Sequence, residues 1–460
     1  MEKSIRDISR RRFLEKAGVL AGGLGLAGLS MLVPGCGPGR EKPPNILLLV
    51  ADDAGWHDVG YHGSEIKTPH IDALAKTGLE LDQFYVYPTC SPSRASLLTG
   101  RYASRFGIAG PIDMRSRQTL PKDVITLPEM LRRRGYNTAI TGKWHLGLRP
   151  ESGPRQFGFD YSYGFLHGQI DQYTHKYKNG DLSWHRNGAF IEEEGHATDL
   201  ITREAVAFIK EKRDKSRPFF LYVPFSVPHY PLQEEEKWLK PYTHIKNKSR
   251  RLFAASMSHM DDSVGRLIRT LEEEKLRENT LVIFLSDNGA QEKWAATFEY
   301  EGRHGPYDRL GDNRPLRDWK KSLYEGGIRV PALVNWPGKI KAGKVKGMLT
   351  VNDIFPTIAA LANAPLKAEW QLDGENIWPV LAGKMDPGPR TLYLRTDRQA
   401  VLRKGDWKLI HTGKTLEEGT DELYNLADDP EEKINLAAEK ADMVDSLRRE
   451  LAAEMARDSQ

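Results

Sequence analysis

Four short runs of continuous apolar residues, each closed by residues able to do chemistry, constrain this chain more than any other feature. They are Asn45-Ile-Leu-Leu-Leu-Val50 before Asp52-Asp53, Asn137-Thr-Ala-Ile140 before Gly142-Lys143-Trp144-His145, Phe219-Phe-Leu-Tyr-Val223 before His229, and Leu281-Val-Ile-Phe-Leu285 before Asp287-Asn288-Gly289. A strand exposed on one face alternates apolar and polar residues. A strand covered on both faces reads as an unbroken apolar run, the pattern of a parallel sheet between helices. Ligands of such sheets gather beyond the carboxyl ends of the strands, where all four polar endings fall. The expected fold class is α/β, a large mixed, mostly parallel sheet flanked by helices.

Helical segments separate the runs. Thr68-Pro69 is a capping and first-turn pair that opens a helix through Ala75, with Gly78 as its stop. Asp123 to Arg134 and Ala254 to Glu274 are further helices by apolar spacing. Residues 290–318 are rich in Gly, Asp, Arg and aromatics without periodicity, and read as a long surface loop able to carry selectivity. Beyond Gly374 the texture changes: Thr391 to Arg395, Ala400 to Arg403, Trp407 to Ile410 and Glu422 to Leu426 read as short antiparallel strands before a charged final helix. The expected organisation is an export signal at 1–35, a linker at 36–43, a catalytic domain at 44–373 and a C-terminal subdomain at 374–460.

The N-terminus, Ser9-Arg-Arg-Arg-Phe-Leu14 followed by an uncharged Gly- and Ala-rich run from Ala17 to Val33, reads as a targeting segment rather than a membrane span. It is too short and too glycine-rich to span, which takes about 20 apolar residues. Arg11-Arg12 resembles a twin-arginine signal, which implies the twin-arginine export machinery, a bacterial cell and a periplasmic or membrane-anchored product. Val33-Pro-Gly-Cys36 resembles a lipoprotein cleavage box, so Cys36 is either lipidated or lost on soluble release. Residues 1–35 hold six Lys/Arg against three acids, so +3 of the formal +4 lies there and +1 remains for the body. That near-neutral balance removes the electrostatic argument for nucleic acid. Of two cysteines, Cys36 is at the processing site, so Cys90 has no disulfide partner within the body.

A lone free cysteine is ordinarily a small hydrophobe, but Cys90 stands in Pro88-Thr-Cys-Ser-Pro-Ser-Arg-Ala-Ser-Leu-Leu-Thr-Gly-Arg101. This string, with Gly135-Tyr-Asn-Thr-Ala-Ile-Thr-Gly-Lys-Trp-His145, Val227-Pro-His-Tyr-Pro231, Trp319-Lys320 and Tyr324-Glu-Gly-Gly-Ile-Arg-Val-Pro331, resembles the sulfatase family from about Pro44 to Leu436. The resemblance implies an alkaline-phosphatase-like fold and a formylglycine made from Cys90 by a formylglycine-generating enzyme. Its hydrate attacks sulfur through one hydroxyl and expels sulfate by collapse through the other. By the same resemblance Asp52, Asp53, Asp287 and Asn288 hold one calcium ion beside position 90, a hard-oxygen set that suits calcium better than zinc. Arg94 and Lys143 polarise the diol and Lys320 contacts the sulfate. His229 protonates the leaving alcohol, and His145 deprotonates the remaining hydroxyl. Lys320 is preferred to Lys321 because it lies four residues before Tyr324.

Within the family the chain is most similar to arylsulfatase B, the N-acetylgalactosamine 4-sulfatase. The resemblance rests on Gly60-Tyr-His-Gly-Ser64, Gly164-Phe-Leu-His-Gly168, Asp171-Gln-Tyr-Thr-His175 and Gly311-Asp-Asn-Arg-Pro-Leu-Arg317. The expected substrate is a sulfated glycan or an aryl sulfate, with Asp171 and His175 as candidate sugar contacts. Two alternatives stand beside it: a phosphate or phosphonate monoester hydrolase of the same superfamily, and a non-catalytic glycan-binding lipoprotein.

Overall fold

The first apolar run shows why it has no polar breaks. Asn45–Ala51 is buried throughout and pairs in parallel with Phe219–Pro224 on one side and Thr280–Ser286 on the other. Ile46, Leu48 and Val50 enter the core on one face of the sheet, while Leu47, Leu49 and Ala51 enter the core on the other. Burial on both faces makes every position contribute, at roughly 25 cal/mol per Å² of apolar surface. The structure is a computed structural model and describes residues 42–114, 116–178, 180–295 and 298–458. The targeting segment at 1–35 and Cys36 lie outside them.

Among the described residues the large sheet has ten strands. Their order is Gly343–Thr350, Leu79–Tyr85, Ala332–Asn335, Thr280–Ser286, Asn45–Ala51, Phe219–Pro224, Asn137–Lys143, Tyr161–Phe165, Trp184–Arg186 and Ala189–Phe190. The run of five from Thr280–Ser286 to Tyr161–Phe165 is parallel. Ala332–Asn335 and the terminal hairpin are antiparallel to their neighbours. The sheet is therefore mixed and mostly parallel at its centre, and all four apolar runs lie in that centre. Leu79–Tyr85 and Gly343–Thr350 mix charged residues among apolar ones and carry no continuous-run signal.

The helices differ from their expected bounds at their starts. One forms over Leu127–Arg133, four residues later than the spacing predicts, because the Thr126 hydroxyl accepts the Glu129 N–H and fixes the start there. The long helix spans Lys248–Glu273 and starts six residues early, where the Asn247 side chain accepts the Arg250 N–H at 2.8 Å. Residues 290–318 are not a surface loop throughout. Trp294, Tyr300, Tyr307, Leu310, Asp312 and Asn313 are buried, and Trp294 pairs with Tyr307 through a two-residue bridge.

The second sheet is antiparallel, in the order Thr391–Arg395, Gln399–Lys404, Trp407–Thr412, Thr420–Asn425, followed by the helix Ala441–Met455. Its Leu392, Val401, Leu409 and Leu423 join the same core as Ile46. A buried ion cluster ties it to the large sheet: Lys408 Nζ lies 2.9 Å from Glu325 and 2.8 Å from Glu432. Tyr85 donates to Glu325 at 2.6 Å, and Arg403 in turn donates to the Tyr85 hydroxyl. Among the described residues no helix is long and apolar enough to cross a membrane.

Candidate active site

The carboxyl ends of the four central strands deliver the expected residues to one place. Asp52 and Asp53 follow Asn45–Ala51, Lys143 ends its own strand with His145 two residues on, His229 follows Phe219–Pro224, and Asp287 and Asn288 follow Thr280–Ser286. Cys90 is the first residue of the helix Cys90–Thr99, every residue of which is buried, and Arg94 lies one turn further along. Asp53 and His145 have positive φ, at 74° and 54°. Such backbone strain in non-glycine residues gathers where the surrounding structure holds a group in a working position.

Three carboxylates and three cations pair off at the floor. Lys143 Nζ donates to Asp52 at 2.7 Å, Lys320 Nζ to both oxygens of Asp53 at 2.6 and 2.8 Å, and Arg94 Nη2 to Asp287 at 2.6 Å. Asn288 Nδ2 donates to Asp53 at 2.7 Å. Two buried oxygens are left over. Asp52 Oδ1 has no hydrogen-bond partner, with the Arg94 guanidinium 4.0 Å away, and Asn288 Oδ1 has none either. Burial raises the Asp52 pKa well above the ordinary carboxylate value, despite Lys143. Burial also opposes ionisation of Asp53, yet Lys320, with the hydrogen bond from Asn288, holds its pKa below the usual range. Spare oxygen acceptors among buried acids are the donor set that a hard cation takes. Ligand atoms of Asp52, Asp53 and His229 lie within 4.8 Å of one another. The residues present therefore fit a calcium-type ion, with Asp52 Oδ1 and Asn288 Oδ1 as the free donors.

The two histidines have tautomers set by carbonyls, which only accept. His145 Nε2 lies 3.1 Å from the Ile112 carbonyl and so carries the proton, leaving the Nδ1 lone pair 3.1 Å from Cys90 Sγ. Glycine at position 168 leaves room for this ring, since a Cβ there would stand 2.6 Å from the His145 Cε1. His229 Nδ1 donates to the Tyr230 carbonyl at 2.6 Å, leaving Nε2 toward Asp53 at 3.7 Å. Burial, then Lys143 and Arg94, hold the His145 pKa well below the ordinary value; burial and Lys320 do the same to His229. Both rings are neutral bases.

Above this floor is a cavity of about 230 Å³ whose walls include Cys90, His145, His229, Lys320, Gln169, Tyr177, Lys178, Tyr230 and Gln291. Lys320 reaches Asp53, whereas Lys321, with φ at 79°, lines the cavity wall and is exposed. The structure does not bring Asp171 and His175 to the cavity. Asp171 accepts the Tyr173 and Thr174 N–H groups and pairs with His304 at 2.9 Å. His175 stacks on Trp184 and hydrogen-bonds the Gly195 carbonyl. Sequence reasoning missed Gln169, Tyr177, Lys178 and Gln291, because they are set by loop packing: Lys178 is held by Glu299 at 2.5 Å and Gln169 by Tyr300 at 3.2 Å. A second buried group, His196, Glu234 and His259, lies outside the cavity lining. There His259 sits between Glu234 at 2.9 Å and Asp199 at 3.4 Å. Burial opposes its protonation, but the two carboxylates push its pKa up to about 9, which makes it an imidazolium in an ion pair.

The fold, a large mixed sheet flanked by helices with a small antiparallel sheet, is alkaline-phosphatase-like. The chain belongs to the sulfatase family, the sulfuric ester hydrolases: the Sulfatase family model matches residues 44–364, and the model for the C-terminal part of N-sulphoglucosamine sulphohydrolase matches residues 317–459. It is 34% identical over 385 residues to arylsulfatase J of Mus musculus, covering 81% of this chain and 62% of that protein. It is 34% identical over 393 residues to N-acetylgalactosamine-6-sulfatase of Homo sapiens, covering 80% of this chain and 72% of that protein. A crystal structure of Ps i-CgsB in complex with k-i-k-neocarrahexaose superposes with a TM-score of 0.81 at 32% identity, covering 91% of this chain and 94% of that one. These names move the resemblance from the 4-sulfatase type expected above toward 6-sulfatases and arylsulfatase J.

Proposed function

We propose that this protein hydrolyses sulfate esters of glycans with a formylglycine at position 90 and one calcium ion, and that it does so after export. The observation that carries the reading is the His145 Nδ1 lone pair at 3.1 Å from Cys90 Sγ, above a buried oxygen set with two free donors. The sulfur stands where a hydroxyl of the formylglycine hydrate would be, and that hydrate supplies the nucleophile and the route for sulfate release. Calcium bound to Asp52, Asp53, Asp287 and Asn288 would supply positive charge to a sulfate oxygen.

The chain's own residues do the rest. Lys143 and Arg94 hold the Asp52 and Asp287 carboxylates and keep two cations beside position 90. Lys320 brings a third to the cavity wall, so the pocket favours an anion. His145, fixed as the Nε2–H tautomer, takes a proton at Nδ1 from the group at position 90. His229 offers Nε2 to the leaving alcohol; an anionic ester bound beside it counters Lys320 and favours the protonated ring it needs. Export rests on residues 1–35 alone, and the named relatives supply the glycan class, including N-acetylgalactosamine 6-sulfate and carrageenan types.

The test is mass spectrometry of the peptide around position 90 from the native host, with hydrolysis of an aryl sulfate measured before and after chelation. Aldehyde at position 90 and a rate lost on chelation and restored by calcium are expected. An unmodified thiol in active protein, or a rate indifferent to chelation, overturns the mechanism.

A further inference from the structure

A polar hollow lies at the hairpin edge of the large sheet, apart from the catalytic cavity. Strand alternation decides which side chains reach it. Tyr161, Tyr163 and Phe165 of one strand and Trp184 of the next pack with Leu47 on one face, which turns Ser162 and His185 to the other. That face is roofed by the turns Pro150–Ser152 and Pro154–Phe157. The roof is anchored where Phe157 packs on Trp144 at 5.5 Å and the Trp144 indole N–H donates to the Ser152 carbonyl at 2.9 Å. Between roof and hairpin is a cavity of about 320 Å³ whose walls include Arg155, Ser162, Leu166, His185 and Asn187. That volume lies within the roughly 300–1,000 Å³ usual for small-molecule sites. None of its lining residues belongs to the catalytic cavity.

The walls hold donors with nothing to donate to. Ser162 is fully buried, and its hydroxyl has no partner. Asn187 and Gly188, at φ 53° and 89°, form the two-residue hairpin turn, and the Gly188 N–H donates to His185 Nδ1 at 3.3 Å. The imidazole proton therefore sits on Nε2, which has no acceptor among the described residues. Burial keeps this ring neutral by pushing its pKa down to about 4. Arg155 is exposed and makes no ion pair among the described residues, and no acid lines the cavity. A guanidinium, an imidazole N–H and a buried hydroxyl around one hollow, with no carboxylate to answer them, suit an oxyanion. Pro150, Pro154 and Leu166 supply apolar wall beside them, so the hollow has a surface for more than a bare ion. We propose that it binds a small organic anion, a carboxylate or sulfate group on a single ring of monosaccharide size, its oxyanion held by Arg155, His185 and Ser162. The site takes no part in ester hydrolysis and goes beyond the sulfatase reading without depending on it.

The test is titration calorimetry on the full chain carrying Cys90→Ala, so that no probe is turned over, alone and with Arg155→Gln or Ser162→Ala added. The probes are glucuronate, glucose 6-sulfate, inorganic sulfate and neutral glucose. At least one of the two anionic sugars should bind, and glucose at least tenfold more weakly. Arg155→Gln should weaken that anion about tenfold, the low end of what a hydrogen bond to a charged group supplies, and Ser162→Ala about three- to fivefold. The Arg155 effect should shrink in salt. Glucose 6-sulfate also meets the catalytic cavity, and dependence on Arg155 and Ser162 separates the two sites. With Cys90 present, both variants should keep kcat and KM on an aryl sulfate within about twofold. Whichever anionic sugar shows the Arg155 dependence identifies the group and supports the site. Glucose bound as tightly as glucuronate, or affinities unchanged in both variants, overturn the proposal. Inorganic sulfate bound as tightly as either anionic sugar overturns the part assigned to the ring.

Discussion

Two of the buried charge clusters among the described residues are built to opposite ends. At the seam between the sheets, Lys408 is enclosed by Glu325 and Glu432, with Tyr85 and Arg403 completing the ring around Glu325. At the strand ends, Asp52, Asp53 and Asp287 are likewise matched by Lys143, Lys320 and Arg94, but two oxygens are left spare and the cluster faces a cavity. A closed cluster is a lock: each carboxylate answers a cation of the chain, Glu432 Oε1 through its ion pair with Lys408, and no cavity among the described residues opens onto it. An open one keeps unused donors under a cavity, an arrangement whose remaining partners come from outside the chain. Perturbed carboxylates occur in both, so a shifted pKa alone does not distinguish a working site from a structural one.

Breaking each cluster should therefore fail in a different observable. The largest effect expected is in the open one: Cys90→Ala should lower kcat by on the order of 10⁴-fold or more, as loss of a nucleophile does, while the thermal midpoint stays near that of the unaltered protein. A midpoint that falls along with the rate would mean that Cys90 serves packing as well. Next comes Lys408→Met, which strands two buried carboxylates and should cost about 3–5 kcal/mol of stability by denaturant unfolding. The kcat of the folded fraction should stay within about twofold, and a larger loss would tie the seam to the chemistry.

The smallest effect is a pH dependence. Burial and Glu325 push the Glu432 pKa up to about 6, against Lys408. Burial opposes the ionisation of Glu325, but Lys408 and Arg403 bring its pKa down to about 2. A raised acid contributes stability below its unfolded pKa, near 4.5, and loses it as pH rises through about 6. Glu325 changes only as pH falls from 4.5 through 2, so between pH 4.5 and 6 Glu432 acts alone of the two. The stability of the unaltered protein relative to Glu432→Gln should fall across that interval. A difference that is flat with pH would show that Glu432 shares its proton with the lock rather than holding it.

Much of the centre was legible because its physics is local. A strand buried on both faces must be apolar at every position, so the four runs of the parallel core announced themselves, and the residues just beyond each run were already the floor of the site. The outer strands were not legible. Leu79–Tyr85 alternates with charges and Gly343–Thr350 carries lysines, and their pairing depends on partners more than 200 residues away in sequence. The site's walls were illegible for a related reason. Asp171 and His175 looked available as polar loop residues, but the fold spends them on turn N–H groups, His304 and Gly195, and sets Gln169, Tyr177 and Lys178 against the cavity instead.

The sequence by itself determined the sheet's core, the cysteine string and the ionisable set beside it, because strand burial and short motifs are properties of contiguous residues. Only the tertiary structure decided which nitrogen of His145 faces Cys90 and which loop residues wall the cavity. Those outcomes turn on a carbonyl at Ile112 and on the packing of Gln169 and Lys178 against Tyr300 and Glu299. They are relations between distant segments, and contiguous sequence does not carry them.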